Sequence, residues 1–212
     1  MPQVKKPRKG SLQFHPRVRA KRLYPSISTY PVTDKPKVLA FAGYKSSMLH
    51  AIVVDGSKGS PTFGQEISVP VTVLDCPPLK VIGIRAYKKT DKGLKVLKEA
   101  IMKDLPKHLS RKIKVGNFKP EENLAAIEKN LDRISNLRLI VSTQPRLSGM
   151  GKKTPEVFEI GIGGVNAGEK LPFAKQMLGK EIKPSDVVKE GELVDVVAVT
   201  KGKGTAGPVK RF

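Results

Sequence analysis

From Val38 onward the chain carries short apolar runs rich in Val and Ile, each ended by Gly, Pro, Ser or Asp: "KVLAFAGYK", "MLHAIVVDG", "ISVPVTVLD" and "LKVIGIRAY". β-branched stretches of this length predict strands, and their regular spacing predicts a barrel. Between 93 and 135 the period changes. Leu94, Leu97 and Ile101 recur at 3 and 4, and Leu124, Ile127, Leu131 and Ile134 do so again behind a Pro120-Glu121-Glu122 helix start. Both stripes predict packed helices. Strand signals return in "LRLIVSTQP" and "EVFEIGIGG", "LPFAKQMLGK" predicts a short helix stopped by Gly179, and "ELVDVVAVT" predicts a last strand. The expectation is a mainly β fold with an α insertion. A β-barrel begins at 37–92, is split by a helical insertion at 93–135, and continues at 136–212.

Residues 1–36 do not follow this pattern. Lys5, Lys6, Arg8, Lys9, Arg17, Arg19, Lys21, Arg22 and Lys35 face one acid, Asp34, and six prolines interrupt them. Such a stretch cannot bury enough apolar surface to fold alone, so it predicts an extended basic arm. Phe14, His15, Tyr24 and Tyr30 lie among the cations, and their flat rings can stack on bases or pack in grooves.

Over all 212 residues, 40 Lys and Arg outnumber 19 Asp and Glu, a formal net charge of +21. A field of that sign attracts polyanions. No run of roughly 18 apolar residues occurs, and "MPQVKKPRKG" has no apolar stretch behind its basic part, so a soluble intracellular protein without membrane contact is expected. A lone Cys76 in "VLDCPPL" excludes an internal disulfide and any multi-cysteine zinc site, and predicts a packed thiol.

Two glycine motifs offer nucleotide chemistry and fail on context. "TKGKGTAGPVKRF" contains G-x-G-x-x-G at Gly202, Gly204 and Gly207, but Pro208 follows at once and no helix or downstream acid can follow before Phe212. Its further match to a kinase glycine loop through Val209 lacks any H-R-D or D-F-G. "GGVNAGEK" at 163–170 spaces its glycines like a P-loop, with Glu169 where Lys is required. His15, His50 and His108 show no metal-ligand spacing, and Ser47 and Ser148 sit in no nucleophile elbow. No catalytic residue, metal or cofactor is assigned, and the expectation is a protein that is not an enzyme.

The same glycines suit another task. Glycine lets backbone approach a surface closely, and lysine supplies a flexible cation. "KGKGTAGPVKR" presents Lys201, Lys203, Lys210 and Arg211, and "PRLSGMGKKTP" presents Arg146, Lys152 and Lys153. Two glycine-basic loops and a basic arm with aromatics predict nucleic acid held at several points, mainly through phosphates. A DNA-compacting basic protein shares the charge but needs no barrel; a nucleotide- or flavin-binding barrel enzyme has only the final glycines in its favour.

Five segments carry a closer resemblance: "RKGSLQFHPRVRAKRLYPSI", "LAFAGYKSSMLHAIVVD", "VIGIRAYKKTDKGLKVL", "LRLIVSTQPRLSGMGKKTPEVFEI" and "VDVVAVTKGKGTAGPVKRF". In order and spacing they resemble the archaeal and eukaryotic form of the universal large-subunit ribosomal protein three family, over essentially the whole chain. The resemblance implies a six-stranded translation-protein β-barrel with an N-terminal extension and a helical insertion. It implies binding and organisation of 23S-type ribosomal RNA near the peptidyl transferase centre, where the RNA does the chemistry. The implied partners are large-subunit rRNA and neighbouring large-subunit proteins, not further copies of itself, and the implied location is the ribosome in the cytoplasm. The candidate rRNA contacts are Lys5, Lys6, Arg8, Lys9, Phe14, His15, Arg17, Arg19, Lys21, Arg22, Tyr24, Lys45, Arg146, Lys152, Lys153, Lys201, Lys203, Lys210 and Arg211. In the family the final stretch leads into a long basic hook before the chain returns to complete the barrel. This sequence stops at Phe212, which leaves open a truncated chain, a fragment or one half of a split protein, and an incompletely closed barrel.

Overall fold

A computed structural model describes residues 20, 22–114, 116, 118–202 and 207–211. Strand β1 (Tyr44–Val54) pairs with β2 (Glu66–Asp75) as a two-stranded antiparallel ribbon. Strands β3 (Leu79–Thr90), β4 (Gly93–Ile101), β5 (Asn136–Ser142), β6 (Val157–Gly161) and β7 (Glu181–Ile182) form a second antiparallel sheet in the order β4-β3-β5-β6, with β7 joined to β3 beyond the end of β4. The fold is mainly β, with antiparallel sheets. Among the described residues neither sheet closes on itself.

The most apolar run becomes the central strand. Leu79, Val81, Ile82, Ile84 and Ala86 of β3 are fully buried, because both faces of the sheet are covered there. On one face Ile84, Leu137, Leu139, Val141 and Ile160 meet Ile127 of α1 (Pro120–Lys129) and Leu171 and Ala174 of α2 (Ala167–Met177). A smaller cluster joins Ile82, Ile140 and Leu109. Helix α1 starts at Pro120 with Glu121 and Glu122 in its first turn, where fixed φ and negative charge both favour a helix start. Helix α2 is followed by Gly179 at φ +78°, the left-handed conformation that ends a helix.

Two sequence expectations are corrected. Residues 93–101 form β4, not a helix. A bulge places Leu97 as an extra residue between the pairs Tyr87–Val96 and Ala86–Lys98, so the alternation slips and imitates a spacing of 3 and 4. The three leucine-type positions go to different places: Leu97 packs on the main core, Ile101 on the smaller cluster, and Leu94 is exposed. Among the described residues, helical structure between 93 and 135 is confined to a 3-10 turn at Lys107–Arg111, α1 and a turn at Leu131–Arg133. The Val-rich stretch Glu192–Thr200 is likewise no strand, and Val194, Val196, Val197 and Val199 are exposed. Strand propensity is largely packing against neighbours, and no described strand lies alongside to ladder with it.

The chain divides into two units, 28–193 and a second made of 1–27 with 194–212. Within the first, part of the basic arm is built into the sheet. Val38 bridges Ile162, the Leu39 N–H donates to Gly161 O at 3.1 Å, and the Gly163 N–H donates to Lys37 O at 2.7 Å. The Gly164 N–H donates to the carbonyl and hydroxyl of Thr33 at 3.0 and 3.1 Å. The amides of "GGVNAGEK" therefore bond the arm. The second unit contains a helical turn, α3, at Pro208–Arg211, which corrects the expectation that no helix follows Gly207, and the Arg22 guanidinium lies 5.5 Å from the centre of the Tyr24 ring.

Candidate nucleic-acid interface

Leu109 is fully buried in the smaller cluster and anchors the 3-10 turn Lys107–Arg111 on the sheet. That anchor turns Lys107, His108, Ser110 and Arg111 toward solvent along one wall of a cleft of about 800 Å³. The other wall is Arg146, Met150, Gly151, Lys152 and Lys153, from the loop between β5 and β6.

The loop is clasped at its base. The Thr143 N–H donates to Glu156 O at 2.9 Å and the Glu156 N–H donates to the Thr143 hydroxyl at 3.0 Å. Pro145 is fully buried, and the Gln144 amide donates to Pro78 O and to Glu181 Oε1 at 3.1 and 2.9 Å. Inside the clasp the Glu156 carboxylate, nearly buried, meets Lys152 at 2.9 Å and Lys112 at 3.1 Å. Burial alone would push this carboxyl up, but the two lysines outweigh it and hold it below its ordinary value. Lys152 is thus committed to an internal ion pair, while Arg146, Lys153, Lys107 and Arg111 are exposed at the cleft. His108 is held below its ordinary value by burial and by the charges of Arg146 and Lys80.

Gly149 and Gly151 have no positive φ, and a Cβ on either would meet nothing within 4 Å. Neither glycine is required by the fold of this chain.

A second charged cluster is satisfied internally. Arg85 pairs with Glu99 at 3.0 Å and with Glu159, Arg138 pairs with Glu159 at 3.4 Å, and the Tyr87 hydroxyl donates to Glu159 at 2.6 Å. The Arg138 guanidinium lies 5.8 Å from the Tyr30 ring centre and 5.2 Å from that of Tyr87. Tyr30, one of the arm aromatics, packs in this groove.

Comparison with known families decides the relationship. The model of the Ribosomal protein L3 family matches residues 1–212. The chain belongs to that family. It is 50% identical over 208 residues to the Large ribosomal subunit protein uL3 of Methanosphaera stadtmanae, covering 97% of this chain and 62% of the relative. The proteins of the same name from Methanobrevibacter smithii and Archaeoglobus fulgidus are 48% and 46% identical, with 62% of each covered. The chain thus spans about 62% of the length of the curated relatives it matches.

Within this L3-family chain the structure brings Arg146, Lys152 and Lys153 together in the cleft. Lys45 is exposed on β1, and Arg22 and Lys201 are exposed in the other unit. Lys5, Lys6, Arg8, Lys9, Phe14, His15, Arg17, Arg19, Lys21 and Lys203 lie outside the described residues, as do the side chains of Lys210 and Arg211. Sequence reasoning did not single out Lys107 or Arg111, and weighed His108 as a metal ligand. Their signal was present in "KHLSRK", a cation cluster around one Leu, inside the stretch expected to be a helical insertion. Cys76 is partly buried, and its Sγ lies where a Cβ on Gly43 would stand. Among the described residues no group of three or more His, Cys, Asp or Glu could hold a metal ion, and no helix is long and apolar enough to cross a membrane.

Proposed function

We propose that this chain is a structural, non-enzymatic constituent of the large ribosomal subunit that binds and organises 23S-type rRNA near the peptidyl transferase centre, in the ribosome of the cytoplasm. Its partners on this reading are large-subunit rRNA and neighbouring large-subunit proteins. The observation that carries the reading is the cleft, where Lys107, Arg111, Arg146 and Lys153 converge around His108 in a chain of net charge +21. Phosphate diesters match the charge of such a site, and contacts of this kind position a protein on RNA without reading sequence. Membership of a family whose relatives are named large ribosomal subunit proteins supports the same reading. The candidate contacts of the arm and of the final glycine loop, Lys201, Lys203, Lys210 and Arg211, extend it.

The finer fold, a translation-protein barrel, is proposed on the same footing. Met48, Leu49, Ile52 and Val54 of β1 are exposed on the ribbon, and a closed barrel is an arrangement that would cover such residues. Amide exchange in β1 and β2 should then be much slower in the assembled subunit than in the free chain.

The RNA reading is tested by the salt dependence of binding to a large-subunit rRNA transcript. Replacing Lys107, Arg111, Arg146 and Lys153 by Gln together should lower the slope of log K against log salt by about 3 to 4, at roughly 0.7 to 0.9 per phosphate contact. An unchanged slope would refute the cleft as the RNA contact.

A further inference from the structure

The β3–β4 hairpin carries two charged cross-strand pairs of opposite kinds. Near its root Arg85 stands opposite Glu99, and the two form an ion pair at 3.0 Å. Near its tip Lys88 stands directly opposite Lys95. Like charges facing each other across a ladder destabilise the pairing, whereas the root shows what a stabilising arrangement on the same two strands looks like. Lys89, Lys92 and Lys98 add to the excess, against the single acid Asp91. Among the described residues none of these five lysines takes part in an ion pair within 4.0 Å.

The tip itself is well built. Gly93 adopts φ +103°, the conformation that a short hairpin loop needs from glycine, and the Thr90 hydroxyl donates to Gly93 O at 2.7 Å. Lys88, Thr90, Asp91, Lys92, Leu94 and Lys95 border a shallow recess of about 520 Å³, three cations against one acid. A rigid turn therefore holds uncompensated cations in place, although one acid at position 88 or 95 would have stabilised it.

We infer that the tip of the β3–β4 hairpin is a second contact for the RNA phosphate backbone, with Lys88 and Lys95 straddling a phosphate. This rests on the reading of the chain as RNA-binding. It adds a site distinct from the cleft: Lys80, which acts on His108, is near one end of β3, and the tip is at the other, ten residues away or roughly 30 Å at about 3.3 Å per residue. RNA held at both ends is fixed in orientation along the sheet, which a single contact cannot achieve.

The test uses the full chain, a large-subunit rRNA transcript, and two readouts that should move in opposite directions. Lys88→Gln with Lys95→Gln should lower the salt slope of binding by about 1.4 to 1.8. Lys95→Glu should raise the Tm of the RNA-free chain by about 1 to 3 °C while weakening RNA binding, because it completes a cross-strand ion pair. A salt slope unchanged in the double variant, with the cleft variants still lowering theirs, would overturn the hairpin site and leave the cleft standing. Absence of salt-dependent binding in the unaltered chain would overturn both. A Tm that falls in Lys95→Glu would show that the lysine pair is compensated within the chain, and would also overturn the inference.

Discussion

The ring of Tyr30 stands where a side chain at position 161 would have to go: a Cβ on Gly161 would lie 2.6 Å from the ring's Cδ2. The Tyr30 hydroxyl points to Glu159 O at 3.5 Å, and burial pushes its pKa up. Gly161→Ala should expel the ring and destabilise the chain by about 1 to 3 kcal/mol, the usual cost of overpacking a fitted contact. Thermal melts would show it, and protease should then cut within 28–36. An unaltered melt would mean that the ring contributes nothing to the fold.

Glu156 ties two lysines beneath the cleft, so Glu156→Gln should cost about 1.5 to 3 kcal/mol, the range for hydrogen bonds to charged groups. The pH dependence has a definite sign. A carboxyl held below its ordinary value of 4.5 contributes stability that is present above that value and is lost as pH falls through the lower folded-state pKa. Urea melts from about pH 7 down to 3 should therefore fall more steeply for the unaltered chain than for the Gln variant. Parallel curves would remove Glu156 from the account.

His108 should couple RNA binding to protonation. Its imidazole is depressed below 6.5 by burial, Arg146 and Lys80, with Lys107 and Arg111 beside it on the same turn. A bound phosphate reverses the sign of that field, so binding takes up a proton and affinity should rise as pH falls, by at most about tenfold per unit. His108→Gln should flatten the profile between about pH 7.5 and 5.5, where the surrounding lysines and arginines keep their charge. In the free chain the effect is opposite: the unfolded state takes the proton first, so this residue's share of stability declines on acidification below about 6.5.

Gly149→Ala and Gly151→Ala should leave the free chain as stable as before or more so by up to about 1 kcal/mol, since neither position needs positive φ or lacks room. RNA affinity should fall, because the open space before them is where a backbone would approach. Equal affinity would show that the loop faces away from RNA.

The strands around β3 could be read from the chain because their alternation and β-branched content survive packing unchanged; α2 could be read because Gly179 marks its end. The fourth strand could not, since one extra residue, Leu97, moves the apolar positions off a period of two. The 192–200 stretch shows the converse: Val194, Val196 and Val197 have strand propensity, but propensity needs a neighbour. Half of the cleft was legible as a glycine-basic loop. The other half was hidden because only the burial of Leu109 brings residues 107–111 against 146–153, and because the pairing of Lys152 with Glu156 depends on the clasp at Thr143.

The bond from Leu39 to Gly161 covers the last residue of β6 on the side away from β5, and those of Lys37 and Thr33 with Gly163 and Gly164 continue it just past the strand. An uncovered strand there would offer a row of free amides and carbonyls to any other extended chain, the starting point of strand swapping and fibre growth. The segment linking the basic arm to the sheet is therefore also a guard on the sheet's open margin. A nick or mutation within 33–37 would leave the buried side chains of the core unchanged and should still favour self-association through that margin.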